Sequence, residues 1–106
     1  MNEPEVIVRP KSKEKTKETP RYLVILLDDN FHSHEYVIAM CQKLFGHPRQ
    51  RGELIASEVH MQGEAVVWGP GSLEVAELKQ DQIHSFGKDP LIQSCKGSMS
   101  AKIEKV

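Results

Sequence analysis

The stretch that decides the fold is Arg21 to Phe45, RYLVILLDDNFHSHEYVIAMCQKLF. It opens with RYLVILL, a nearly unbroken β-prone apolar run of strand length, which Asp28-Asp29-Asn30 brings to an end. Such a run reads as a central strand. From about Ser33 the period changes: Val37, Met40, Cys41, Leu44 and Phe45 fall at i, i+3, i+4, i+7 and i+8, the spacing of one face of an amphipathic helix. Gly46 supplies the usual C-terminal stop. Strand, polar turn and helix are therefore expected in direct succession.

Working outward, a second helix is predicted from near Pro48, with Leu54, Ile55 and Val59 as its apolar positions and a stop before Gly63. Glu64 to Trp68, EAVVW, reads as a short strand, and Gly69-Pro70-Gly71-Ser72 as a turn that offers Ser72 as the next helix N-cap. The third helix carries Glu74 and Glu77 near its positive end and is expected to stop at Gly87. Pro90 to Cys95, PLIQSC, is taken as the last strand, which leaves residues 96–106 as a frayed tail. The order β-α-α-β-α-β predicts an α+β fold, a small open three-stranded antiparallel sheet packed on three helices. The folded domain is expected at residues 21–95. Residues 1–20 are rich in Pro, Lys, Glu and Thr without an aromatic residue, and read as a flexible N-terminal extension.

Composition narrows the function classes. The chain has 106 residues and a formal net charge of -1. Residues 21–106 hold nine basic and eleven acidic side chains, a balance unlike that of a nucleic-acid binder, and the lysines Lys11 to Lys17 of the extension are interleaved with glutamates. No apolar run is long enough to span a bilayer, and the N-terminus lacks a signal-peptide core, so a soluble cytoplasmic protein is expected. Cys41 and Cys95, widely spaced and flanked by core segments, read as buried thiols of a reducing compartment. A domain this small has no room for a deep enclosed site, which favours a groove or shallow pocket.

The chemistry-bearing segment is Asp28-Asp29-Asn30-Phe31-His32-Ser33-His34-Glu35. An acid or amide before a helix caps its first turn. Here, however, two carboxylates, an amide and two imidazoles leave acceptors to spare, enough to hold a cation, either a metal or an ammonium group. A metal reading would use His32 and His34 with Asp29 or Asp28 and perhaps His60, but His34-Glu35 is followed by Tyr36, Val37 and Ile38 rather than by the second histidine of a zinc helix. No phosphate loop and no nucleophile motif accompanies the segment, which weakens an acid–base catalytic reading and leaves a small metal-binding or metal-dependent protein using His32, His34 and Asp29 as the rival.

VILLDDNFHSHEYVIAMCQKLF, EVHMQGEAVVW, EVAELK and DPL, in this order, resemble the ClpS adaptors of the Clp protease, the recognition proteins of the N-degron pathway. The resemblance covers roughly Tyr22 to Ser94. It implies a non-catalytic, cofactor-free adaptor that binds a free N-terminal Phe, Tyr, Trp or Leu and delivers its bearer to a ClpA-like AAA+ unfoldase, without nucleic acid or membrane as partner. It places the α-amino site on Asp28, Asp29, Asn30 and His60. The hydrophobic pocket falls on His34, Val37, Ala56, Val59 and Leu91, with His34 as the gate, and the unfoldase-docking face on Glu74 and Lys79. The turn departs from the family's Asn-Asp-Asp order; His34 replaces a methionine and Ala56 a larger apolar residue, and these last two changes widen and polarise the pocket. A domain diverged to another partner is the alternative the resemblance leaves open.

Overall fold

Residues 19–106 are described by a computed structural model of the chain, and residues 1–18 of the extension expected over residues 1–20 lie outside them. The elements are β1 (Tyr22–Leu27), α1 (His34–Phe45), α2 (Arg49–Gln62), β2 (Glu64–Gly71), α3 (Leu73–His84) and β3 (Ser100–Lys105). The sheet is antiparallel with order β2-β1-β3, so the apolar run is indeed the central strand. Its residues Val24, Ile25 and Leu26 are all buried. Ridding each such side chain of water contributes about 1.5–3 kcal/mol, which makes β1 the natural centre of the core.

The stripe read from α1 is the buried one: Val37, Met40 and Cys41 join β1 in the core, with Leu44 and Phe45 packed against them. The Ser33 hydroxyl accepts the Tyr36 N–H and caps the helix, and Gly46 closes it at φ +69. In α2 the buried positions are Gly52, Ile55, Ala56 and Val59, whereas Leu54 is exposed, contrary to expectation. The helix packs along the 52–55–56–59 stripe, and Leu54 lies off it. Gly52 lets α1 and α2 approach closely, since a Cβ there would stand 3.1 Å from the Ile38 Cα. Ser72 caps α3 as expected, but the helix ends at His84 with Ser85 as its C-cap, before Gly87.

The last strand corrects the sequence reading. Residues 90–95 form turns, with Ile92 N–H donating to the Asp89 carbonyl and Cys95 N–H to that of Ile92, and Leu91 is 67% exposed. β3 instead comes from SAKIEK, inside the segment expected to fray. Met99 and Ala101 are buried and Ile103 is packed on the core, while Ser100 and Glu104 are exposed. This is the period-2 alternation of a strand with one wet face. Its charged residues hide the signal in a count of apolar residues.

Candidate functional site

The polar turn sits where β1 delivers the chain to α1, and hydrogen bonds from three directions hold it. Asp28 N–H donates to the Gly63 carbonyl over 2.9 Å, tying the turn to the end of α2. The Asp29 carboxylate accepts Phe31 N–H at 2.9 Å, closing a local Asx turn. The same carboxylate holds Nδ1 of His32 at 2.8 and 3.0 Å. On its other side, Nε2 of His32 lies 2.8 Å from the Gly97 carbonyl oxygen. Both ring nitrogens are thus engaged by oxygens of the fold, and the two contacts fix the plane of the ring. The His32 side chain is 4% exposed.

A second carboxylate anchors the turn from outside it. Asp89, 1% exposed, accepts Ser33 N–H at 2.6 Å and Leu91 N–H at 2.8 Å. Burial alone would raise its pKa, but the N–H donors from Ser33 and Leu91 and the nearby His32 outweigh it and hold the carboxyl below the ordinary range. Tyr36 stacks at a tilt on His32, with ring centroids 4.5 Å apart, and its hydroxyl donates to the Gly87 carbonyl. Burial pushes that phenol up despite its hydrogen bonds.

The other expected site residues divide between two places. His34 at the start of α1 and His60 in the last turn of α2 are both exposed, and their rings meet edge to face with centroids 5.7 Å apart. His34 and Val37 are three residues apart, and Ala56 lies three and four residues before Val59 and His60, spacings that share a helix face. Val37, Ala56 and Val59 are buried at the seam of the two helices. Leu91 stands apart from them. It borders a cavity of about 460 Å³ with Glu35, Tyr36, Ala39, Phe86 and Lys88. Asp28 and Asn30 are exposed and Asp29 is half-buried. Glu74 is exposed in the first turn of α3, whereas Lys79 donates to the Leu44 carbonyl at 2.9 Å and lies over the Phe45 ring, acting as a clamp on the end of α1.

His32 and His34, the pair a metal reading would join, point to different partners, and among the described residues no group of three His, Cys, Asp or Glu side chains is placed to hold a metal ion. Among the same residues no helix is long and apolar enough to cross a membrane. Sequence reasoning missed Asp89, Tyr36, Cys95 and Gly97 as supports of the turn. Only Asp89 carried a readable signal, an acid before proline that closes an Asx turn on Leu91.

Residues 17–91 match the model of the family described as the ATP-dependent Clp protease adaptor protein ClpS. The chain belongs to the ClpS family. Curated ClpS adapter proteins align with it over most of their length: that of Aromatoleum aromaticum is 36% identical over 74 residues, covering 70% of this chain and 72% of its own. The Nitrosospira multiformis ClpS is 36% identical over 87 residues, 82% of this chain and 83% of its own. The structure of Agrobacterium tumefaciens ClpS2 bound to L-phenylalaninamide superposes with a TM-score of 0.70 at 23% identity, covering 82% of this chain and 98% of that one, a likeness that speaks for the fold. As a ClpS protein the chain is a substrate adaptor of the Clp protease and not an enzyme. The ClpS match stops at Leu91, so Cys95, Gly97 and β3 lie beyond it.

Proposed function

We propose that this ClpS adaptor grips the free N-terminal residue of a substrate protein, preferring bulky hydrophobic Phe, Tyr, Trp or Leu, and delivers it to a ClpA-like AAA+ unfoldase. The α-ammonium, with its donors and positive charge, is received by the turn Asp28-Asp29-Asn30 and by His60. The side chain enters the α1–α2 seam floored by Val37, Ala56 and Val59, with His34 as the gate, while Leu91 borders the separate cavity and is left out of the pocket. The observation that carries this reading is the His34–His60 pair, 5.7 Å between ring centroids, which joins the start of α1 to the last turn of α2, where Asp28 N–H is tied to the Gly63 carbonyl. L-phenylalaninamide, which the Agrobacterium protein binds, has the same chemistry, a free amine beside a phenyl side chain. Docking on the unfoldase is assigned to the exposed α3 face at Glu74, with Lys79 contributing through its hold on α1.

The test is fluorescence anisotropy with a labelled peptide that begins with phenylalanine, against its N-acetylated twin. Acetylation removes the charge and donors that the acidic turn is meant to receive, so binding should weaken by at least about tenfold. Equal affinities would refute the amine site. A panel of peptides differing only in the first residue then ranks the side-chain preference.

A further inference from the structure

Cys95 lies behind the acidic turn, and polar groups rather than hydrocarbon surround its sulfur. Asp89 N–H points at Sγ from 3.1 Å, Nε2 of His32 stands 3.3 Å away, and the Gly97 carbonyl oxygen lies at 3.2 Å. Beyond the ring, the Asp29 carboxylate holds Nδ1 at 2.8 Å. Carboxylate, imidazole and thiol are therefore connected in sequence, Asp29 to His32 to Cys95. A cavity of about 420 Å³ opens beside them, lined by Asp29, Phe31, His32, Lys96 and Gly97 with Ser94, so both chain neighbours of Cys95 form part of its wall. Cys41 offers the contrast. Burial in the core pushes its thiol up to about 12.

We propose that Cys95 is a modification site, a thiol that reacts with hydroperoxides and other small electrophiles, with His32 as its proton acceptor and Asp29 orienting the ring. The thiol proton passes to Nε2, which gives the ring donors toward both Asp29 and Gly97. The thiolate is then faced by two N–H groups, from Asp89 and from the ring. Its attack forms an S–O bond and breaks the O–O bond of the hydroperoxide. The departing oxygen takes the proton from His32, so the products are Cys95 sulfenic acid and water or an alcohol, and the ring returns to its starting state. Sγ is nearly buried, so the reagent must be small enough to reach it through the neighbouring cavity. Added oxygen at Sγ crowds Nε2, displaces His32 and releases the Asp29 carboxylate. Nothing in this chemistry depends on what the turn binds.

The experiment treats the full chain with hydrogen peroxide in the presence of dimedone, which traps a sulfenic acid as a thioether, and follows each cysteine by peptide mass spectrometry. Cys95 is expected to label at least about tenfold faster than Cys41, and His32→Gln to slow Cys95 labelling by about tenfold or more. Asp29→Asn, which keeps an amide beside the ring, should slow it by a smaller factor. Equal labelling of the two cysteines in the native chain, or an unchanged Cys95 rate in His32→Gln, would overturn the proposal. Should His32→Gln fail to fold, an unchanged rate in Asp29→Asn overturns it instead.

Discussion

Replacing Asp89 by alanine removes the anchor that joins the acidic turn to the segment after α3. Ser33 N–H loses its acceptor at 2.6 Å and Leu91 N–H its acceptor at 2.8 Å. At a side chain 1% exposed, water cannot readily replace both. A hydrogen bond to a charged acceptor contributes about 1.5–3 kcal/mol, and with Leu91 close enough to solvent to recover part of its share, the loss comes to about 3–4 kcal/mol. With a urea slope near 1 kcal/mol/M for a domain this small, the unfolding midpoint, followed by Trp68 fluorescence, should fall by about 3 M. Asp89→Asn keeps an acceptor without the charge and should lose about half as much. The acid side gives a second reading. Burial works to raise the Asp89 pKa, but its N–H donors and His32 leave it lowered, so its contribution is fully present above the unfolded carboxyl value of about 3.9 and is lost as pH falls through the lower folded value. Stability of the native chain should therefore decline below about pH 4 more steeply than that of Asp89→Asn. An Asp89→Ala midpoint within about 0.5 M of the native chain would refute the anchoring argument.

Asp28→Asn should weaken a phenylalanine-initiated peptide by about 10- to 150-fold in the anisotropy assay, the value of one charge-assisted contact, with little change in melting temperature. Gly69→Ala places a Cβ 2.5 Å from the Tyr22 carbonyl oxygen at φ +108, and should destabilise by more than about 2 kcal/mol, seen by calorimetry as a fall in Tm of about 8 °C or more. Lys79→Met, which frees the Leu44 carbonyl, should lower Tm by several degrees, about 1 kcal/mol, whereas Glu74→Ala should leave Tm unchanged and reduce co-sedimentation with the unfoldase.

How much of this was legible depended on whether the signal was local. β1, α1 and the caps Gly46 and Ser72 follow from period and capping chemistry, both of which act within a few residues of sequence. β3 escaped because its inward residues Ala101 and Ile103, with Met99 just before the strand, alternate with Ser100, Lys102 and Glu104, and a strand paired on one edge of β1 needs only its inner face apolar. PLIQSC looked more apolar, yet Pro90 and the Asx turn on Asp89 commit it to turns. In the site, the cluster Asp28 to Glu35 could be read as an acceptor-rich turn, and the ClpS resemblance brought His60 to it. What no local pattern carries is the division of labour within the turn, since His32 takes its partners from Gly97 and Cys95, more than sixty residues away.

That division bears on the exchanged ends of the turn. Asp29 spends both carboxylate oxygens on His32 and one of them also on Phe31 N–H. With both of its oxygens already engaged by His32, the Asp29 carboxylate has less left to offer an arriving ammonium than a carboxylate that makes no hydrogen bond. Asp28 engages the fold through its backbone N–H, and its exposed carboxylate has no hydrogen-bond partner among the described residues. Asn30, also exposed, adds an amide oxygen but no charge. On the proposed reading, the anionic partner of the α-ammonium is therefore the first residue of the turn, and Asp29 is the brace that holds the turn in shape. An arrangement of Asn-Asp-Asn here would leave the amine without an unmatched carboxylate, which is why an acid in first position is the feature that keeps this turn suited to a charged chain end.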